Sequence, residues 1–441
     1  MEKILFVIPY IPYPLTTGGN QAFFNMVDFI RHKFSTSILL CPRNDEEKSN
    51  LAELRKRWSN VNFFVFEKSK SSDVVDTPKV RHAFYYKWLG KLKASVERKM
   101  RRQIIETSNL NIWKDKDMVR DKSTLSGSVF RDFDEDYLEY VINIFKLDFS
   151  IIQIEFYELI ALGYLIPDKV QSIFVHHELR YVHNENEMSL FQRVTSKDRL
   201  QFHVAKDFER SALKCYKHII TLTDVDRKLL IDFLGNKKCI YTSPAVVRLT
   251  NSSKDFIPCL DHRLTFVGSE EHCPNVDGIA WLCNKVVPIL RKNGFRFYLQ
   301  IVGKWESDYA KALAASCPEI QLMGYIEDLS SFLNASIAIV PIRIGSGMRM
   351  KILDAVSSNV PVVTTVKGVE GIDFRNGKEC MIADGATSFA NAIMQLCDNI
   401  TLQKDLAWNA KEKLNEFYAP QQMFERRLAI YSCILKTDHQ F

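Results

Sequence analysis

The sequence predicts an α/β protein built from two doubly wound, Rossmann-like domains facing each other across a cleft. Three observations carry this expectation. Short runs dense in β-branched and other apolar residues recur along the whole chain, and helix-length stretches separate most of them. The rhythm restarts once, after a polar segment in the middle. The runs are apolar throughout rather than alternating, as in parallel sheets covered on both faces.

A first series of strands is expected at 4–8, 36–40, 63–66, 150–154, 172–175, 219–222 and 239–242. A second is expected at 264–267, 295–302, 320–323, 337–341 and 361–365. Between them Pro244 ends a strand, and Asn251-Ser252-Ser253-Lys254-Asp255 reads as a linker before the fresh strand that ends in Phe266-Val267-Gly268. The expected division is therefore a first domain at 1–245, a second at 246–415, and a helix at 416–441 packing back toward the first domain. A helical insertion at about 69–148 interrupts the first domain. Within it, 79–103 carries nine Lys or Arg against the single acid Glu97, with Phe84, Tyr85, Tyr86 and Trp88 interleaved. That composition fits a helix lying on an anionic membrane surface, and equally a solvated helix packed on the domain.

Composition narrows the class. The 441 residues are 46% hydrophobic and 25% charged, the profile of a folded globular chain rather than a disordered or fibrous one. A net charge of +6 is too small to argue for nucleic acid, which is not expected as a partner. Ten cysteines form no C-x-x-C pair and no zinc-ligand spacing, so they read as core residues of a reducing compartment, and no metal is expected. The N-terminal stretch is broken by Pro9, Pro12 and Pro14 and does not read as a signal peptide. No run approaches the roughly 18 apolar residues of a membrane span. The expected location is the cytoplasm, at the inner face of the membrane if the basic stretch docks there.

In open parallel sheets ligands sit beyond the carboxyl ends of the strands, so the loops there are the candidate sites. After the first strand, Gly18-Gly19 precede a helix expected from about Ala22; paired glycines admit a ligand close to the backbone. They do not form G-x-G-x-x-G, so no dinucleotide fingerprint is present. A strand runs straight into His176-His177-Glu178-Leu179-Arg180, placing imidazoles at a sheet edge where they can bond sugar hydroxyls or move protons. The strongest signal is Gly345-Ser346-Gly347-Met348-Arg349-Met350-Lys351, followed by a helix carrying Asp354. A Gly-Ser-Gly turn at a helix start is expected to present free N–H groups to phosphate oxygens. Arg349 and Lys351 add charge for a diphosphate, and Asp354, one turn deeper, suits ribose hydroxyls. Gly268 and Ser269, with Asn275 at the start of the next helix, form a further turn that could close the pocket.

These residues resemble the retaining glycosyltransferases of family 4, which have the GT-B fold. The resemblance rests on Gly345 to Ala355, Pro361-Val-Val-Thr-Thr, Gly368-Val-Glu-Gly371, Phe266-Val-Gly-Ser, Pro274-Asn-Val-Asp-Gly and Ile301-Val-Gly303, with Gly18-Gly19 and His177 at matching places. It implies transfer of a sugar from a UDP- or GDP-sugar, held by the second domain, to a hydroxyl acceptor (a glycan or lipid-linked sugar) on the first, without a required cofactor. By position it makes His177, rather than His176, the contact to the donor sugar. Gly18 and Gly19 come near the transferred sugar, Asp354 takes the ribose, and Glu370 borders the nucleotide. The chain departs from the family in carrying Ser346 and Asp354 where two glutamates are common, and Ser269-Glu270-Glu271 where Arg and Lys are common; Arg349 and Lys351 are the expected replacements for that charge. Two other readings stay open: a sugar-nucleotide epimerase of the same fold, and a nucleotide-sugar binding protein without turnover.

Overall fold

The computed structural model describes residues 1–15, 18–67, 118–235, 239–246 and 256–437. The basic stretch 79–103 and the linker residues 251–255 lie outside the described residues.

Among the described residues all strands are parallel and fall into two sheets. The first has seven strands: β1 Lys3–Val7, β2 Ser35–Leu40, β3 Asn62–Val65, β4 Ile151–Glu155, β5 Gln171–His176, β6 His218–Thr221 and β7 Ile240–Thr242, in the order β3-β2-β1-β4-β5-β6-β7. The second has six: β8 Arg263–Val267, β9 Tyr298–Val302, β10 Ile320–Gly324, β11 Ile337–Val340, β12 Val362–Thr364 and β13 Met381–Ile382, in the order β10-β9-β8-β11-β12-β13. Each is a doubly wound sheet in which the order reverses beside its first strand. In β1 the alternation explains the two helical layers: Ile4 and Phe6 join one buried cluster, Leu5 and Val7 the other, and all four are fully buried. An apolar strand covered on both sides removes most of its surface from water, at about 25 cal/mol for each Å².

Two expectations need correcting. The helix after β1 begins at Gly18, not near Ala22, so Gly18 and Gly19 form its first turn rather than a loop before it. A first turn has no intrahelical N–H bonds to lose, and the space here demands small residues: a Cβ on Gly18 would lie 3.0 Å from Met350 Cγ, and one on Gly19 3.1 Å from the Tyr10 hydroxyl. The two-residue strand β13 was not expected, and it pairs with β12 through Val363 and Thr364.

The chain closes with helices Ile400–Phe417 and Pro420–Thr437. The last returns to the first sheet's layers. Phe424 stacks on Phe29 at 4.1 Å, the Tyr431 hydroxyl donates to Gln153 Oε1 (2.6 Å), and Arg427 Nε donates to Ser243 Oγ (2.9 Å).

Candidate functional site

In the second sheet the order reverses between β8 and β11, and the loops leaving those two strands converge. Lys351, on the helix Met350–Ser357 after β11, donates from Nζ to Asn275 Oδ1 at 2.6 Å. Asn275 in turn donates from Nδ2 to the Ser269 carbonyl at 2.8 Å, and a Cβ on Gly268 would lie 2.9 Å from Lys351 Nζ. Gly268, Ser269 and Asn275 thus meet Lys351, which follows Asn275 by 76 residues in sequence, at one point. Lys351 brings to the β8 turn a cation that Ser269-Glu270-Glu271 lack. Glu270 instead turns inward and accepts the N–H groups of Glu306 and Ser307, both at 2.9 Å. The Lys351 ammonium lies 4.4 Å from the Phe266 ring centre. Burial, with Arg349 nearby, lowers its pKa to about 7 against the pull of Asp354. Burial raises Asp354 to about 7, with Lys351 opposing.

The Gly345-Ser346-Gly347 turn is engaged differently from the expectation. Its two glycine N–H groups are not free: Gly345 donates to Asn186 Oδ1 (3.2 Å) and Gly347 to Asp226 Oδ2 (3.1 Å), on helices Arg180–Ser189 and Asp224–Leu234 of the first sheet's half. Ser346 is buried, and its hydroxyl accepts the Leu179 N–H at 2.6 Å. At Gly347, with φ +81°, a Cβ would stand 2.2 Å from the His177 carbonyl oxygen, so only glycine permits this approach. The turn therefore bridges the two halves of the molecule. Arg349, half-buried behind it, donates to the carbonyls of Ser346 and Gly347, and burial lowers its pKa. Gly371, with φ +82°, makes a second close crossing, where a Cβ would meet Thr223 at 2.3 Å. Beside it Glu370 is paired with Lys367 at 2.8 Å.

The first sheet reverses between β1 and β4, and there the surroundings are aromatic and carboxylate-rich. His177, just beyond β5, meets Glu155 at the end of β4 (Nε2 to Oε2, 2.6 Å). Its ring lies flat on Phe156 at 4.0 Å. Phe156 has φ +69°, an uncommon conformation for a bulky residue, of the kind found where strain is held at a working site. Tyr10 packs at a tilt on Phe156, ring centres 4.8 Å apart, and against Gly19; its buried hydroxyl has no partner. Gly19, Tyr10, Phe156 and His177 are therefore one assembly. His176 points elsewhere, to Glu209 at 2.8 Å, where the same carboxylate also accepts the N–H groups of Arg180 and Tyr181.

Several groups here escaped the sequence reading. Glu178 bridges Arg180 (3.1 Å) and His183 (3.2 Å), and His183 reaches on to Glu187 at 2.9 Å. Burial alone would raise the Glu178 carboxyl, yet His183 and Arg180 hold it well below the ordinary value. Burial opposes the charge on His183, but Glu178 and Glu187 raise it to about 9. His183 and Glu187 stand four apart on one helix, a visible spacing whose partner Glu178 is not on that helix. Asp226 is buried with Oδ1 unpartnered, and burial raises its pKa. Among the described residues no group of three or more His, Cys, Asp or Glu is placed to hold a metal ion. Among them, too, no helix is long and apolar enough to cross a membrane.

Residues 261–399 match the family model for Glycosyl transferases group 1. The chain is 30% identical over 167 residues to an uncharacterized 44.6 kDa protein in the cps region of Klebsiella pneumoniae, a match covering 36% of this chain and 43% of that protein. It thus spans well under half the length of that relative. Among solved structures, a mutant of Staphylococcus aureus TarM in complex with UDP and α-GlcNAc-glycerol superposes with a TM-score of 0.63 at 13% identity, covering 98% of this chain and 100% of that one. Sucrose-phosphate synthase of Thermosynechococcus elongatus superposes at 0.66 with 11% identity, covering 99% and 100%. Anabaena HepE in complex with UDP and glucose does so at 0.60 with 12% identity, covering 98% and 100%. The fold is GT-B, and the family match over the second sheet supports a GT-B glycosyltransferase.

Proposed function

We propose that the chain is a retaining glycosyltransferase that moves a hexosyl group from a UDP- or GDP-sugar to a hydroxyl acceptor in the synthesis of a polysaccharide or glycoconjugate. The observation that carries this is the convergence of Gly268, Ser269, Asn275 and Lys351 at the switch point of one sheet, while the chain just before Lys351 touches the other half, Gly347 at His177 and Met350 at Gly18. The cps region of the Klebsiella relative favours a polysaccharide product.

In this reading Lys351 and Arg349 neutralise the departing diphosphate, and the N-terminal turn of helix Met350–Ser357 adds its dipole. Asp354 accepts from the ribose hydroxyls. His177, its ring fixed by Glu155 and Phe156, donates to a hydroxyl of the transferred sugar, and the acceptor attacks the face from which the diphosphate leaves. Catalysis is then positioning and stabilisation of developing charge. Because the Gly345–Gly347 turn is held by the first sheet's elements, donor binding also aligns the two halves.

The test is product analysis with a panel of UDP- and GDP-sugars and hydroxyl acceptors, the anomeric configuration read by proton NMR. A glycoside with the donor's configuration supports the reading, and an inverted anomer contradicts retention. A changed sugar still attached to its nucleotide would instead identify an epimerase.

A further inference from the structure

A sizeable cavity among the described residues takes no part in the donor site above. It measures about 490 Å³ and lies wholly among elements of the first sheet's half. That volume falls within the roughly 300–1,000 Å³ of small-molecule sites. Aromatic walls come from Tyr157, Phe130 and Phe208; Glu158, Arg180 and Arg131 supply charge. Tyr157 follows Phe156 directly, and Phe156 is the residue that stacks on His177. Arg180 pairs with Glu178, the residue after His177. One wall of the cavity, Tyr157, is thus the direct chain neighbour of the assembly proposed to hold the transferred sugar.

Its chemistry is that of a carbohydrate site. Phe130 is 59% exposed, and its ring leaves a free apolar face at the cavity. The Tyr157 hydroxyl donates to the Ser128 carbonyl at 2.7 Å, which fixes one wall to the floor. Arg180 lies over the Tyr157 ring at 5.0 Å, and its Nε–H is buried without an acceptor in the protein. The cations Arg131 and Arg180 are matched by Glu158 and by Glu178, Arg180's own partner, so the cavity has no net preference for an anion.

We propose that this cavity is a saccharide subsite, occupied by an uncharged pyranose of the acceptor. One ring face rests on the aromatic wall, a ring oxygen or hydroxyl accepts from the Arg180 guanidinium, and another hydroxyl donates to Glu158. The acceptor role rests on the glycosyl-transfer reading; saccharide binding here does not, and the two are tested apart.

Saturation-transfer NMR on the full chain, with and without UDP, would use the methyl glycosides of glucose, galactose, mannose, rhamnose, N-acetylglucosamine and N-acetylgalactosamine, together with methyl glucuronide. The subsite predicts saturation of the ring protons of at least one neutral glycoside, undiminished by UDP. The signal should fall at least several-fold in both Phe130→Ala and Glu158→Gln, two exposed positions whose substitution spares the core, while UDP binding persists. No saturation of any neutral glycoside by the wild type, or saturation that survives both substitutions, overturns the subsite. A stronger response to the glucuronide than to the glucoside overturns the uncharged sugar. Failure of UDP to bind, with glycoside binding intact, would count against the donor site and not against this cavity.

Discussion

The two sheets share a strand order, and each reverses beside its first strand, yet the crevices they create are furnished in opposite ways. Beyond β8 and β11 the backbone dominates: glycine turns, an asparagine, and two cations drawn close enough that Lys351 is lowered to about 7. Beyond β1, β4 and β5 side chains dominate, with Tyr10 packed at a tilt on Phe156, Phe156 stacked on His177, and His177 paired with Glu155. Topology sets where a ligand can sit, and the residues decide which end of it sits there. An anionic leaving group belongs with the first furnishing, and a hydroxyl-rich sugar with the second.

The contrast breaks most severely where the halves touch. Gly347→Ala places a methyl group against the His177 carbonyl, at a φ that alanine adopts reluctantly. The expected loss is roughly 2–4 kcal/mol of stability, read as a fall in denaturant midpoint, with donor affinity falling as well. An unchanged midpoint would mean that the crossing is not formed in solution.

Next in size is a pH effect on the first half alone. The folded pKa of His183, about 9, lies above its ordinary 6.5. The stability it contributes is therefore full below pH 6.5 and is lost as pH rises through 9. The stability gap between wild type and His183→Gln should be largest, at most about 3 kcal/mol, below pH 6.5. It should shrink steadily to pH 9 in paired urea titrations. Lys351 has the opposite sign, since its lowered pKa makes stability rise between pH 7 and 10.5, and comparing the two proteins cancels that background. A gap independent of pH would contradict the Glu178–His183–Glu187 ladder.

Much of this was legible in advance because the signals are local. The apolar runs at 4–8 or 337–341 can only be covered strands, and Gly-Ser-Gly before a helix marks a turn whatever surrounds it. What was not legible depends on residues brought together by the sheets. Glu155 and His177 meet because β4 and β5 are neighbours in register, with Glu155 opposite Val175. The three bonds holding Gly345-Ser346-Gly347 run to Asn186, Leu179 and Asp226, on elements fixed by the other sheet. Strand β13 is too short to carry a period and exists because β12 offers an edge.

A smaller effect sharpens the division of labour inside the second half. Glu270→Gln removes a carboxylate that accepts two backbone N–H groups but faces away from Lys351. It should lower stability by about 1 kcal/mol and leave nucleotide affinity unchanged by calorimetry. A tenfold change in affinity would place Glu270 in the site instead.

The most direct test of the central claim is calorimetric titration of UDP and GDP into the wild type, Lys351→Ala and Asp354→Ala. Loss of a charge-assisted contact is worth about 1.5–3 kcal/mol, or roughly 10–100-fold in affinity. The account predicts that one of the two nucleotides binds the wild type, that Lys351→Ala weakens it by that factor, and that Asp354→Ala weakens binding of the whole nucleotide but not of inorganic pyrophosphate. Equal affinity in all three proteins, or no binding of either nucleotide to a folded wild type, would contradict a donor site at the β8–β11 switch point.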